Sequence, residues 1–145
     1  MKSYADTSFL YSYYSADVNS ARADSWRQSN AIALPFTLLH RLELRNAIEL
    51  AVFQKRATAT EAAEVWKTVE TDVSAGLLTE VSLSLADLFA KAQELVANHT
   101  AATGARSLDV LHVAAASLLG VEEVVTFDQR QSALALRLGL KVAAL

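Results

Sequence analysis

Residues 124–131 read VVTFDQRQ. Val124, Val125, Thr126 and Phe127 are β-branched or aromatic, the residue types of a buried strand. Asp128 follows directly, and Gln131 stands three residues further on. That spacing is a capping box opening a helix over 132–138. Strand, acid, helix is the joint on which an α/β fold turns. Two roles are open for Asp128: it caps the helix, or it joins other carboxylates around a metal ion.

The same joint stands at the start of the chain. A short strand over 3–6 ends in Asp6, and a helix runs from Thr7 to Tyr14. Between the two joints the elements alternate. A helix near 18–29 has Asp17 as its cap. AIAL at 31–34 reads as a strand, ended by Pro35, which has no N–H for a ladder. A long helix covers about 36–55. Thr58 and Glu61 form another capping box, opening a helix to about Ala75 with Gly76 as its stop. Residues 77–81 read as a strand. Ser84 and Asp87 start a helix to about Asn98, and TAATGAR at 100–106 reads as a loop. Ser107 caps a helix over 108–119, closed by Gly120, and 140–143 is the last strand. Such alternation predicts parallel strands with right-handed crossovers, in a three-layer α/β/α sandwich with a mostly parallel sheet of about five strands. Sheets of this kind bind ligands beyond the carboxyl ends of their strands, where Asp6 and Asp128 fall. No linker or internal repeat interrupts the pattern, so 1–145 reads as a single domain.

The totals agree. A chain of 145 residues buries enough surface for a core without staples. The absence of cysteine excludes disulfides, thiolate metal sites and cysteine nucleophiles, and fits a reducing compartment. No apolar run reaches the roughly 18 residues of a membrane span. Asp6 interrupts any signal-peptide core. The expectation is a soluble cytoplasmic protein with no membrane partner. A net charge of −3 does not advertise nucleic-acid binding, although a local basic surface suffices for a polyanion.

Four acids stand in unusual places. Asp6 and Asp128 follow strands, and each is also a good helix cap, worth about 1 kcal/mol. Asp109, in SLDVLHVAAASLLG, lies in the first turn of a helix that is apolar almost all round and therefore buried; interaction with the helix dipole also suits it. Glu43, in FTLLHRLELRNAIEL, falls within about 40° of Phe36, Leu39, Ala47 and Leu50 on a helical wheel. It is expected in the middle of an apolar stripe, where a carboxylate needs a proton, a hydrogen bond or a cation. Arg41 and Arg45 lie on the other side of that helix. Carboxylates about 4 Å apart repel by about 4 kcal/mol at an effective dielectric of ~20. If the four converge, a divalent cation is needed, and all-oxygen donors select Mg2+ or Mn2+ over zinc. His40 and His112 read as structural residues on apolar surroundings, and His99 as part of an exposed helix end.

With YADTSFL, LLHRLELRNAI, ARSLDVLHVAAA and VVTFDQR in this order and spacing, the chain resembles PIN-domain nucleases, most closely the VapC-type toxins of toxin–antitoxin pairs. The resemblance spans essentially the full length. It implies a metal-dependent endoribonuclease with Asp6, Glu43, Asp109 and Asp128 as its acidic quartet. Asp6, Asp109 and Asp128 would hold Mg2+ or Mn2+, with Glu43 holding a water or a second ion. Thr7, Ser8 and Thr126 match hydroxyl positions beside those acids. Arg106 and Arg130 flank them and suit phosphate contacts. The resemblance further implies an RNA substrate, a VapB-like antitoxin chain and a homodimer. Trp26 and Trp66 read first as ordinary core packing, with an antitoxin groove as the alternative. An antitoxin arginine entering the acidic site would replace the cation's charge. Two competing readings remain: a structure-specific DNA nuclease of the same fold, and a noncatalytic α/β interaction module whose acids only cap helices.

Overall fold

Strand β1 (Ser3–Ala5) lies beside β4 (Glu123–Val125), although the two stand near opposite ends of the chain, because both are apolar or small on the buried side and run parallel in register. The computed structural model describes residues 1–145. It contains β1, α1 (Thr7–Tyr14), α2 (Ser20–Ser29), β2 (Leu34–Phe36), α3 (Leu38–Phe53), α4 (Ala59–Ser74), β3 (Leu78–Glu80), α5 (Leu85–Leu95), α6 (Ala101–Thr103), α7 (Ser107–Leu118), β4, α8 (Gln129–Arg137) and β5 (Lys141–Val142). All five strands pair in parallel, as the alternation predicts, in one ladder of order β1-β4-β5 and a second of β2 with β3. The chain divides into two compact units, residues 1–6 with 82–144, and residues 7–81 with 145.

The first unit is built around α7. Val110, His112, Val113, Ala114, Ala115 and Ala116 of this helix are buried. The apolar ones pack with Tyr4, Leu88, Leu95, Val124 and Leu134 into one core. His112 is a core residue: its Nδ1 meets the Tyr4 hydroxyl at 2.8 Å, satisfying both buried polar groups.

Helix α5 continues beyond its expected end. A π-helical turn, Val96–Thr100, carries it into α6, so the segment read as a loop is helical to Thr103. Gly104 stops it with φ of 66°, a left-handed conformation that favours glycine. His99 lies in the π turn, half-buried rather than exposed, and its Nδ1 accepts from Arg137 Nε at 3.1 Å.

The second unit holds two departures from the sequence reading. Pro35 lies inside β2 instead of ending it. Its neighbours carry the ladder, Leu34 N–H donating to Leu77 O and Phe36 O accepting from Val81 N–H, both at 3.1 Å. The residue between them need not donate, and β2 has only one neighbouring strand. The buried face of α3 is His40, Leu44, Ile48 and Ala51, not the stripe centred on Glu43. Glu43 is half-buried at the margin of that face, and Leu50 of the expected stripe is exposed. Leu38, Leu42 and Phe53 also face outward, at 72%, 70% and 83% exposure, so apolar residues occupy more than one side of the helix and the wheel alone misplaced its inner face. Arg41 bonds to Glu70 and Glu80, and Arg45 to Glu49; as expected, these arginines are occupied elsewhere than at Glu43.

Candidate acidic site

The β1–β4 register decides the site. Ala5 pairs with Val125, and one further bond, Asp6 N–H to Val125 O at 3.0 Å, carries the ladder past the strand end. Asp6 is thereby set beside Thr126 at the carboxyl ends of two parallel strands. Strand β4 stops at Val125, so Thr126 and Phe127 form a short bend, and Asp128 follows the strand after these two residues, not directly.

Asp6 is completely buried. Thr126 Oγ1 donates to its Oδ2 at 2.7 Å, and the same hydroxyl oxygen accepts the Asp128 backbone N–H at 2.9 Å. Asp128 is the N-cap of α8. Its Oδ1 accepts from the backbone N–H of Arg130 at 2.8 Å and of Gln131 at 2.9 Å, which leaves Oδ2 outside the cap. The capping box anticipated in VVTFDQRQ is therefore half present. Gln131 does not turn back to Asp128 with its side chain. Its Nε2 reaches Asp109 Oδ1, at 3.3 Å.

Asp109 has its own local task. Ser107 is not the cap of α7. The cap position is Arg106, and Asp109 Oδ2 accepts the Arg106 backbone N–H at 2.9 Å. An aspartate at the third helical position can reach back one turn in this way, which the sequence signal for a serine cap obscured. Asp109 and Asp128 are both half-buried. A continuous chain of hydrogen bonds thus runs Asp6–Thr126–Asp128–Gln131–Asp109, linking three of the four acids singled out in the sequence. Gln131 is the member whose role the sequence did not show, because its spacing from Asp128 suggested only a cap.

Glu43 belongs to the second unit, where the Thr7 hydroxyl donates to its Oε1 at 2.9 Å. Ser8 is half-buried in the first turn of α1. Arg106 and Arg130 expose their side chains, and neither guanidinium is in an ion pair. His40 is buried and structural: its Nδ1 accepts the Thr37 backbone N–H at 3.0 Å, closing a capping box at the start of α3. Trp26 packs edge-on against Phe9 with centroids 5.2 Å apart and is a core residue, not a groove residue. Trp66 is half-buried, and the Arg45 guanidinium lies 4.9 Å from its ring centre.

The donor set in the first unit suits a hard divalent cation in kind. It consists of carboxylate oxygens with one buried carboxamide oxygen, Gln131 Oε1, that has no hydrogen-bond partner. As the side chains stand, no three Asp, Glu or His residues close into a ready coordination shell. A cation would therefore take oxygens now held by Thr126 and Gln131, or one outside the cap such as Asp128 Oδ2.

Parallel strands joined by helices, with Asp6 and Asp128 beyond the carboxyl ends of β1 and β4, define an α/β protein. The chain belongs to the PIN domain family, which matches residues 3–136. Its fold is similar to that of VapC20 from Mycobacterium tuberculosis, a sarcin–ricin loop cleaving toxin, with a TM-score of 0.69 and 17% identity over 91% of this chain and 94% of that one. It is similar also to FitAcB from Neisseria gonorrhoeae, with a TM-score of 0.65 and 17% identity over 98% and 96% of the two chains. No curated protein matches in sequence. No helix is long and apolar enough to cross a membrane.

Proposed function

We propose that the chain, acting as one nuclease domain over 1–145, is a Mg2+- or Mn2+-dependent endoribonuclease of the VapC toxin type. The observation that carries this reading is the hydrogen-bonded run from Asp6 through Thr126, Asp128 and Gln131 to Asp109. Helix caps alone would account for Asp109 and Asp128. Asp6 is in addition a completely buried carboxylate that accepts a hydrogen bond from the Thr126 hydroxyl, in the bend after the neighbouring strand. Carboxylates brought together repel, and a cation among them would offset that charge. PIN family membership and the likeness to VapC20 support RNA as the substrate class.

In this reading Asp6, Asp109 and Asp128 hold the cation. When bound, it lowers the pKa of a water and stabilises charge on the phosphate. Thr126 fixes the Asp6 carboxylate by donating to Oδ2, and its place between two acids restrains both. The membership of Glu43 in the same catalytic set rests on the family resemblance; Thr7 orients it by holding Oε1. Arg106 and Arg130, exposed and outside ion pairs, attract the RNA backbone and offer bidentate contacts to phosphate. An antitoxin chain is the proposed protein partner, with a homodimer as the proposed assembly. Of the two tryptophans, Trp66 is the one available to such a partner, since Trp26 is consumed by the core.

Cleavage of total cellular RNA, with Mg2+ and with chelator, tests the proposal against Asp109→Ala. Cleavage that needs the cation and disappears in the variant, with the fold intact, supports it. Equal products from wild type and variant in metal-defined buffer would overturn the site. Cleavage of DNA in preference to RNA would favour the DNA-nuclease reading.

A further inference from the structure

Gln131 touches two of the acids through two different groups. Its backbone N–H donates to Asp128 Oδ1 at 2.9 Å, and its side-chain Nε2 donates to Asp109 Oδ1 at 3.3 Å. Only 4% of the residue is exposed. Its Oε1 is buried with no hydrogen-bond partner. Leucine or methionine would fill such a place without leaving a carbonyl unsatisfied, so a packing role alone gives no reason for a carboxamide. The neighbouring core is apolar, with Leu134 and Ala135 on the same helix fully buried.

We propose that Gln131 is a positioning residue of the acidic site: its side-chain amide orients the Asp109 carboxylate relative to Asp128, one of whose two cap bonds Gln131 also supplies. Nothing in the Asp128 cap requires this side chain, because the cap uses the backbone. The amide faces Asp109 through its NH2, the only polarity that attracts a carboxylate. It holds Oδ1 while the Arg106 backbone holds Oδ2, so Asp109 is fixed at both oxygens. Groups that orient metal-binding carboxylates in this way typically change metal affinity about 10–100-fold when removed. The inference rests on the proposed metal-dependent function.

The test uses the full chain, Mn2+ as the probe, and two variants. Gln131→Met keeps the volume and loses the amide; Gln131→Ala loses both. Mn2+ binding is measured by calorimetry, and thermal unfolding is measured in chelator. A positioning role lowers Mn2+ affinity about 10-fold in both variants, while metal-free unfolding of Gln131→Met stays at the wild-type temperature and that of Gln131→Ala falls. Wild-type affinity in Gln131→Met, with only Gln131→Ala weakened, would show a packing role and overturn the inference. So would unfolding of Gln131→Met without metal. Absence of Mn2+ binding by wild type would instead bring down the metal-dependent function itself, and this inference with it.

Discussion

The Thr126 hydroxyl lies between Asp6 and Asp128, donating to the Asp6 carboxylate at 2.7 Å and accepting the Asp128 backbone N–H at 2.9 Å. One small side chain therefore joins the end of β1 to the start of α8. Thr126→Val keeps the shape and removes the donor to a buried carboxylate. The expected loss is about 1.5–3 kcal/mol, the value of a hydrogen bond to a charged group. Urea unfolding measures it, and Thr126→Ser should recover most of the difference. Equal stability of Thr126→Val and wild type would mean that Asp6 is held by other groups.

Asp128 has a cap to give up and an oxygen to spare, and the two are separable. Asn caps helices as well as Asp, so Asp128→Asn should stay within about 0.5 kcal/mol of wild type, whereas Asp128→Ala should lose about 1 kcal/mol. Both should lose RNA cleavage if Asp128 holds the cation. Full cleavage by Asp128→Asn would reduce Asp128 to a helix cap.

Glu43 is only half-buried, so Glu43→Gln should fold with little change in stability, within about 0.5 kcal/mol. Cleavage should nevertheless fall by at least about 10-fold, the scale on which loss of a group supporting a bound ion or its water lowers activity. Thr7→Val, which releases the carboxylate oxygen that Thr7 holds, should have a smaller effect in the same assay. Undiminished cleavage by Glu43→Gln would remove Glu43 from the catalytic set.

Arg106 and Arg130 are exposed, and their substitution by Gln should leave unfolding unchanged within about 0.5 kcal/mol. The expected effect is on substrate: a higher KM, with the dependence of RNA binding on log salt made shallower by about 0.7 for each single-strand phosphate no longer neutralised. A fall in kcat with KM unchanged would place these residues in the chemistry rather than in RNA attraction.

Local signals carried much of the fold. Helix α1 lies where the sequence places it, and the caps at Thr58, Ser84 and Asp128 accept the backbone N–H bonds that their residue types imply. These are interactions within a few residues, and sequence spacing fixes them. Pro35 and Ser107 misled for the same reason: each carries a local rule, no ladder N–H and good capping, that neighbours satisfied another way. Leu34 and Phe36 bear the β2 ladder, and Asp109 reaches back to Arg106.

The sequence by itself determined which residues are acids at the joints between strand and helix, because composition and periodicity are local. Tertiary structure decided which of them hydrogen bonds link. The parallel register of β1 with β4 sets Asp6 against Thr126 across a separation of 120 residues, and the same packing turns Gln131 from Asp128 to Asp109. It also rotated α3, moving Glu43 to the margin of the buried face, where its Oε1 takes a bond from Thr7. A helical wheel gives relative angles around an axis. The direction that points inward is set only when the helix meets its neighbours.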